Sequence, residues 1–126
     1  VTTRPQLKQL GLFLGRLIGA DFNTTADQAI PIGAGLYVPR RIIVTNPSTS
    51  LTLAAGGIYT GAGKTGTIVV PAAQVYSALT GATKFLDLTL NSLTDVLSAS
   101  QLLLSLTVAQ GAAATGDVYL FGDVLQ

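Results

Sequence analysis

The fold turns on the stretch Asp117-Val-Tyr-Leu-Phe-Gly122. In an extended chain Val118 and Leu120 share one face, Tyr119 and Phe121 the other. Both faces are apolar, so this strand is either central in a sheet or lies at an interface. Working back, Leu102-Leu-Leu-Ser-Leu-Thr107 sets Leu102, Leu104 and Leu106 inward, opposite Leu103, Ser105 and Thr107. Phe85-Leu-Asp-Leu-Thr-Leu90 sets Leu86, Leu88 and Leu90 on one face, opposite Phe85, Asp87 and Thr89. Leu36-Tyr-Val-Pro-Arg-Arg-Ile-Ile-Val-Thr45 is rich in β-branched residues and stops at the turn signal Asn46-Pro47-Ser48. Pro39 has no N–H for a ladder, so this strand is an edge or is bulged there.

Leu51–Ala55, Ile58–Thr60 and Thr65–Val70 read as further strands, and Ala72–Leu79 as one or two helical turns. Asn91–Ser100 fits a loop or a short helix from Thr94 to Ala99. The count is about seven to eight short strands at roughly 8–12-residue spacing, which predicts an all-β chain, a β-sandwich or jelly-roll-like domain over residues 22–126. Residues 1–21 are set apart as an N-terminal arm or short helix. Pro5 suits a first helical turn, and Leu7, Leu10 and Leu14, with Leu17 or Ile18, recur at helical spacing. Gly11, Gly15 and Gly19 oppose a helix by about 1 kcal/mol each relative to Ala. An extended arm bent at its glycines is the other reading.

Composition excludes much chemistry. The chain has 126 residues with no Cys, His, Met or Trp, and all six acids are Asp. Thiol nucleophiles, disulfides, Cys/His zinc sites and any Ser-His-Asp triad are therefore impossible within it. Seven bases give a net charge of +1, and charged residues make up only 10% of the chain, a poor footprint for nucleic acid. Ala, Gly, Ser and Thr fill 53 of the 126 positions. The longest apolar tract near the start, Leu10 to Ala20, is broken by Arg16 and falls far short of the ~20 residues that cross a bilayer. Arg16 also spoils it as a signal peptide. The chain begins at Val1, as if an initiator Met alone had been trimmed, and the expectation is a protein made and used inside the cell. No cofactor, metal, nucleic acid or membrane is expected as a partner.

Three near-motifs carry no catalytic reading. Gly61-Ala-Gly-Lys-Thr65 resembles the end of a phosphate loop, but G-x-x-x-x-G-K-[ST] needs glycine at position 58, which is Ile58. A β-turn with one solvated Lys is preferred. Phe22-Asn-Thr-Thr-Ala-Asp27 contains a glycosylation sequon, yet reads better as a turn whose Asn23, Thr24 and Asp27 bond to backbone amides. Asp117 and Asp123 share a strand ~20 Å apart, too far for an acid/base pair. Asp21 and Asp27 could approach Asp87 or Asp95 only through the fold. An enzyme is not expected.

Phe22-Asn-Thr-Thr-Ala-Asp-Gln-Ala-Ile30, Arg41-Ile-Ile-Val-Thr-Asn-Pro-Ser-Thr-Ser-Leu-Thr-Leu-Ala-Ala-Gly-Gly57, Ser105-Leu-Thr-Val-Ala-Gln-Gly-Ala-Ala-Ala-Thr115 and Asp117–Gly122 together resemble small virion proteins encoded among the head genes of tailed bacteriophages. The likeness covers roughly residues 20–125 and is one of phrasing, with no defined site motif. It implies a capsid decoration or cement protein, a homotrimeric β-sandwich that clamps neighbouring major capsid proteins. Its place would be the capsid outer surface of the virion, after synthesis in the host cytoplasm. The residues suit such a part: small side chains permit close approach, and few charges limit desolvation at an interface.

Charge marks where a partner would meet the chain. Residues 1–41 hold Arg4, Lys8, Arg16, Arg40 and Arg41 against two Asp, a local +3, and the remainder carries −2. The N-terminal segment is the expected arm onto an acidic capsid surface. Leu7, Leu10, Leu14, Leu17 and Ile18 are its anchors, and Arg4, Lys8 and Arg16 set its register. Arg40 and Arg41 point to opposite strand faces and are solvated or interfacial. Deleting residues 1–19 is then expected to abolish particle binding and leave the sandwich folded. The alternative is a tail, baseplate or host-attachment module, whose usual cue, exposed aromatics along a groove, is thin with four Tyr and four Phe.

Overall fold

A computed structural model describes residues 9–125. Among the described residues there is no helix. Eight strands run in the order β1 (Gln9–Asp21), β2 (Gln28–Pro31), β3 (Tyr37–Thr45), β4 (Ala55–Gly61), β5 (Thr65–Val70), β6 (Phe85–Asp87), β7 (Gln101–Val108) and β8 (Thr115–Val124). They form two antiparallel four-stranded sheets, ordered β1-β8-β3-β6 and β2-β7-β4-β5. The all-β sandwich expected from the alternation is what the chain forms.

The core is the space between the two inner faces. Leu102, Leu104 and Leu106 of β7 and Val118 and Leu120 of β8 are completely buried, as are Ile30, Ile42, Val44 and Ile58. Each such side chain contributes about 1.5–3 kcal/mol by leaving water. Tyr37 and Tyr76 are buried with them and donate their hydroxyls to the carbonyls of Ala99 (2.7 Å) and Gly56 (3.0 Å). Burial pushes the Tyr37 phenol up to about 12 and the Tyr76 phenol upward as well. Phe22 meets Tyr76 edge-on with ring centroids 5.1 Å apart.

Three expectations need adjusting. Residues 51–54 are not a strand; β4 begins at Ala55 and runs through Gly56 and Gly57, where close backbone approach leaves no room for a Cβ. The Ala72–Leu79 segment is not helical, because its backbone is engaged elsewhere. Gly56 N–H donates to Gln74 O, Tyr76 N–H to Ala54 O and Leu51 N–H to Leu79 O, which straps the segment along the start of β4. The strand expected over 85–90 forms a ladder only through Phe85–Asp87. Its periodicity persists beyond the ladder, since Leu88 is buried and Leu86 and Leu90 pack on the core.

The larger change concerns the N-terminal segment. Gln9–Asp21 is neither a helix nor a separate arm: it is strand β1, paired along β8. β1 has 13 residues where β8 has 10, and three register shifts, at Gln9/Leu12, Phe13/Gly15 and Leu17/Ala20, absorb the difference. Gly11, Gly15 and Gly19 fall within or at the end of these shifts, so their spacing of four is a spacing of bulges. Gly19 has φ +69, the left-handed conformation that a bulge residue adopts and glycine tolerates. Bulges also explain the helix-like pattern. One extra residue per interval stretches the strand period from two toward three, so Leu14, Leu17 and Ala20 all reach the core side. Residues 1–8 lie outside the described residues.

Candidate functional site

The outer face of the β1-β8-β3-β6 sheet gathers residues that are scattered along the chain. On β8, Val118 and Leu120 point inward, so Asp117, Tyr119, Phe121 and Asp123 point outward. Paired residues of neighbouring strands share a face, so the register places Phe13 and Arg41 beside Phe121. It places Arg16 and Ile43 beside Tyr119, and Asp87 beyond Ile43. Of the four Phe only Phe22 is in the core. Phe13 (53% exposed) and Phe85 (47%) stand at the two sides of the outer face, with Phe121 half-buried between them. Phe13 and Phe121 meet edge-on at 6.1 Å. β8 is thus both central in its sheet and apolar on its outer face.

Both arginines of the basic pair reach this face because β3 is bulged. Pro39 lies opposite Gly122 and Arg41 opposite Phe121, so two steps on β3 match one on β8. The bulge falls beyond the end of the short β6, where the missing Pro39 N–H breaks no ladder with that strand. Strict alternation would have turned one arginine inward, whereas here both are exposed. A Cβ on Gly122 would lie 2.1 Å from the Val38 carbonyl oxygen, so only glycine fits opposite the bulge.

Their charges are already matched. Arg40 Nε donates to Asp123 Oδ2 at 2.7 Å, and Asp123 is buried. Arg41 grips Asp87 with Nε to Oδ1 at 2.6 Å and a second guanidinium nitrogen to Oδ2 at 3.1 Å. The same guanidinium lies 5.3 Å over the Phe85 ring. The hydrogen bonds from Arg41 hold the Asp87 carboxyl below the usual carboxylate range. The charges of Arg40 and Arg41 are therefore met in space by Asp123 and Asp87. A groove of about 460 Å³ runs between Arg40, Arg41, Ile43 and Phe121.

The expected anchors divide. Arg16, Ile18, Arg40 and Arg41 come together on the outer face, all exposed. Leu14 is buried in the core and Leu17 packs against it, which takes Leu14 away from any partner. Leu10 is part of β1, while Arg4, Leu7 and Lys8 lie outside the described residues. Deleting residues 1–19 would remove most of an edge strand, so it is not the clean truncation that an arm would allow. Tyr119, Phe121, Phe13 and Phe85 do not stand out as site residues in the sequence. For Tyr119 and Phe121 the one signal there is the two-sided apolarity of Asp117–Gly122, and Phe13 and Phe85 have none.

A second cluster sits on the other sheet. The Gly61–Thr65 segment is the β4–β5 turn, with Gly63 at φ +70 and Lys64 at φ +62. Such a turn aims backbone N–H at an anion, and here the anion is the chain's own: Gly63 N–H donates to Asp27 Oδ2 at 2.8 Å. Asp27 Oδ1 accepts the hydroxyl of fully buried Ser105 at 2.7 Å, and Lys64 Nζ donates to Ser105 Oγ at 2.9 Å. The Gly63 amide, then the Ser105 hydroxyl, hold the Asp27 carboxyl below its ordinary value. Lys64 is thus tied down rather than simply solvated, and the phosphate-loop likeness reduces to an internal clamp joining β7, the β4–β5 turn and the loop before β2. Asn23 and Thr24 cap backbone amides as the turn reading expects, from Gly111 and Ala26. Asp21 accepts from Asn23 N–H, and Asp117 from Gly19 N–H, so these carboxylates hold loops and bulges in place.

Among the described residues no group of three or more Asp could hold a metal ion, and no helix is long and apolar enough to cross a membrane. No protein-family model, curated protein or solved structure matches the chain.

Proposed function

We propose that the chain is a structural protein of a tailed-phage virion, a decoration or cement protein that binds the major capsid protein on the outside of the shell as a homotrimer. The observation that carries this reading is the outer face of the β1-β8-β3-β6 sheet. It combines four aromatic rings and three arginines, the residue types that concentrate in protein–protein interfaces, with the exposed Ile18 beside them. The scaffold beneath it is fully satisfied: among the described residues no buried side-chain nitrogen or oxygen lacks a hydrogen-bond partner. A face of this kind supports holding by shape and buried area. The resemblance of residues 20–125 to phage head proteins supplies the virion setting, and the proposal rests on it there.

The test is the number of copies in purified particles that contain the protein, by quantitative mass spectrometry. Copies comparable to the major shell protein support decoration. A handful per particle would move the protein to the tail, and absence from particles would overturn the virion reading. The gathering of Phe13, Phe85, Phe121 and Tyr119 on one side also favours a second reading, host attachment through a tail or baseplate module. Retention on immobilised host-surface glycan, lost in Tyr119→Ala, would support that reading instead.

A further inference from the structure

We propose that the outer face of the β1-β8-β3-β6 sheet docks onto further copies of this chain, related by an axis that runs parallel to its strands. This rests on the homo-oligomer reading above: it assigns the outer face to contacts between copies, so that the shell is met by another surface of the oligomer. The register carries it. One row across the face runs Arg16–Tyr119–Ile43–Asp87, with the cation on the β1 side and the anion on the β6 side. The next row has Ile18 on β1 within the shift that brings Asp117 alongside, then Asp117, Thr45 and Phe85 on β6. Opposite ends of each row are complementary, cation to carboxylate and aliphatic to aromatic.

Within one copy these ends cannot meet. β1 and β6 are separated by two intervening strands, about 14 Å at the usual ~4.8 Å spacing. An axis parallel to the strands keeps every row at its own height and brings the β1 side of one copy to the β6 side of another. Arg16 then faces Asp87, and Ile18 faces Phe85, in the same operation. Asp87 has the capacity: its side chain is 51% exposed and a carboxylate accepts about four hydrogen bonds, of which Arg41 supplies two. Ile18 is 52% and Phe85 47% exposed, so both have area to bury. The charges on the face, Arg16, Arg40 and Arg41 against Asp87, Asp117 and Asp123, balance. A balanced face that is complementary end to end suits a second copy better than a strongly acidic or basic partner.

Area sets the strength. Strands β1, β8 and β3 at ~30 Å each and β6 at ~10 Å, with ~4.8 Å spacing, give a face of about 500 Å², or at most about 1,000 Å² between two copies that cover it fully. That is below the standard size of stable interfaces. Association therefore depends on concentration, and the oligomer is strengthened where copies are held side by side on a shell.

The chain has no native Cys, which permits a direct test. Ile18→Cys and Phe85→Cys proteins, each checked for native circular dichroism, are mixed in equal amounts and oxidised. Light scattering over a concentration series runs in parallel on the unaltered chain. The expected result is a mixed disulfide between the two variants, scarce same-variant links, and a closed covalent oligomer from the double variant. Oligomers that persist while only same-variant links form, or none, would overturn this surface and axis but leave the homo-oligomer reading standing. A monomer at every concentration would overturn both.

Discussion

Replacing Leu14 with Ala separates a strand built into the core from an arm that merely lies on it. Leu14 is 3% exposed, and it sits among the buried side chains of both sheets. Truncation to Ala removes the transfer free energy of the lost carbons and leaves a cavity that a packed core closes only in part. Buried Leu→Ala changes destabilise by about 2.7–5 kcal/mol, and an edge strand, which can settle inward, belongs toward the lower end, about 3 kcal/mol. For a domain of this size the melting temperature should fall by about 10–15 °C. Ile18→Ala is the control. Four residues along the same strand but 52% exposed, it should change the stability of the dilute, unassociated chain by no more than about 0.5 kcal/mol. Urea titration with fluorescence or circular dichroism gives both numbers, provided the slope against denaturant is unchanged. A Leu14→Ala protein as stable as the unaltered chain would refute the placement of β1 in the core and restore the separable arm.

Other outcomes follow from the two polar clusters and the bulge on β3. Arg40→Ala takes a partner from the buried Asp123 carboxylate and should cost about 1–3 kcal/mol in urea titrations. Arg41→Ala breaks a pair in which both side chains are about half exposed and should cost less than about 1 kcal/mol. Equal effects would contradict the difference in burial. Asp27 and Asp87 both have carboxyl pKa values lowered from 3.8, so the folded state holds their protons less tightly than the unfolded chain. Their contribution is therefore complete above about pH 4 and is lost as pH falls through the lowered values. Asp27→Asn should flatten that acid-side loss in pH-dependent melting, and an unchanged slope would count against the clamp. Gly122→Ala drives a Cβ into the Val38 carbonyl and should destabilise by about 2 kcal/mol or more, by the same titration, unless β3 loses its bulge.

Several elements of the sandwich are legible in the amino-acid sequence. β5 is legible because Pro71 ends it and Gly61–Lys64 precedes it. β7 and β8 are legible because short apolar runs with alternating Leu or Val, bounded by polar and Gly-rich segments, mark strands, although β7 is buried on both faces, Leu103 and Ser105 included. β1 is not, since three bulges stretch strand periodicity toward helical periodicity, and a one-dimensional pattern does not distinguish the two. Leu14 and Leu17 read as anchors for a partner, yet they pack into the chain's own core. The Asp27–Ser105–Lys64 clamp is illegible for another reason. Its members lie 41 and 78 positions apart in sequence, and neither spacing nor composition links them.

Alternation and composition are enough to settle the fold class and the exclusions. Alternating Leu, Ile and Val can hide their apolar side only by stacking one sheet on another, and a chain without Cys or His cannot perform the chemistry those side chains support. Which residues face outward together is settled by the folded sheets and by nothing short of them. Strand order sets Phe13, Phe121 and Phe85 on one side, and a bulge at Pro39 turns Arg40 and Arg41 to that same side. Folding also brings Asp123 and Asp87 to Arg40 and Arg41, pairing charges that lie 83 and 46 positions apart along the chain. Periodicity is a property of neighbours in sequence, whereas a binding face is assembled from strands that meet only when the sheet forms.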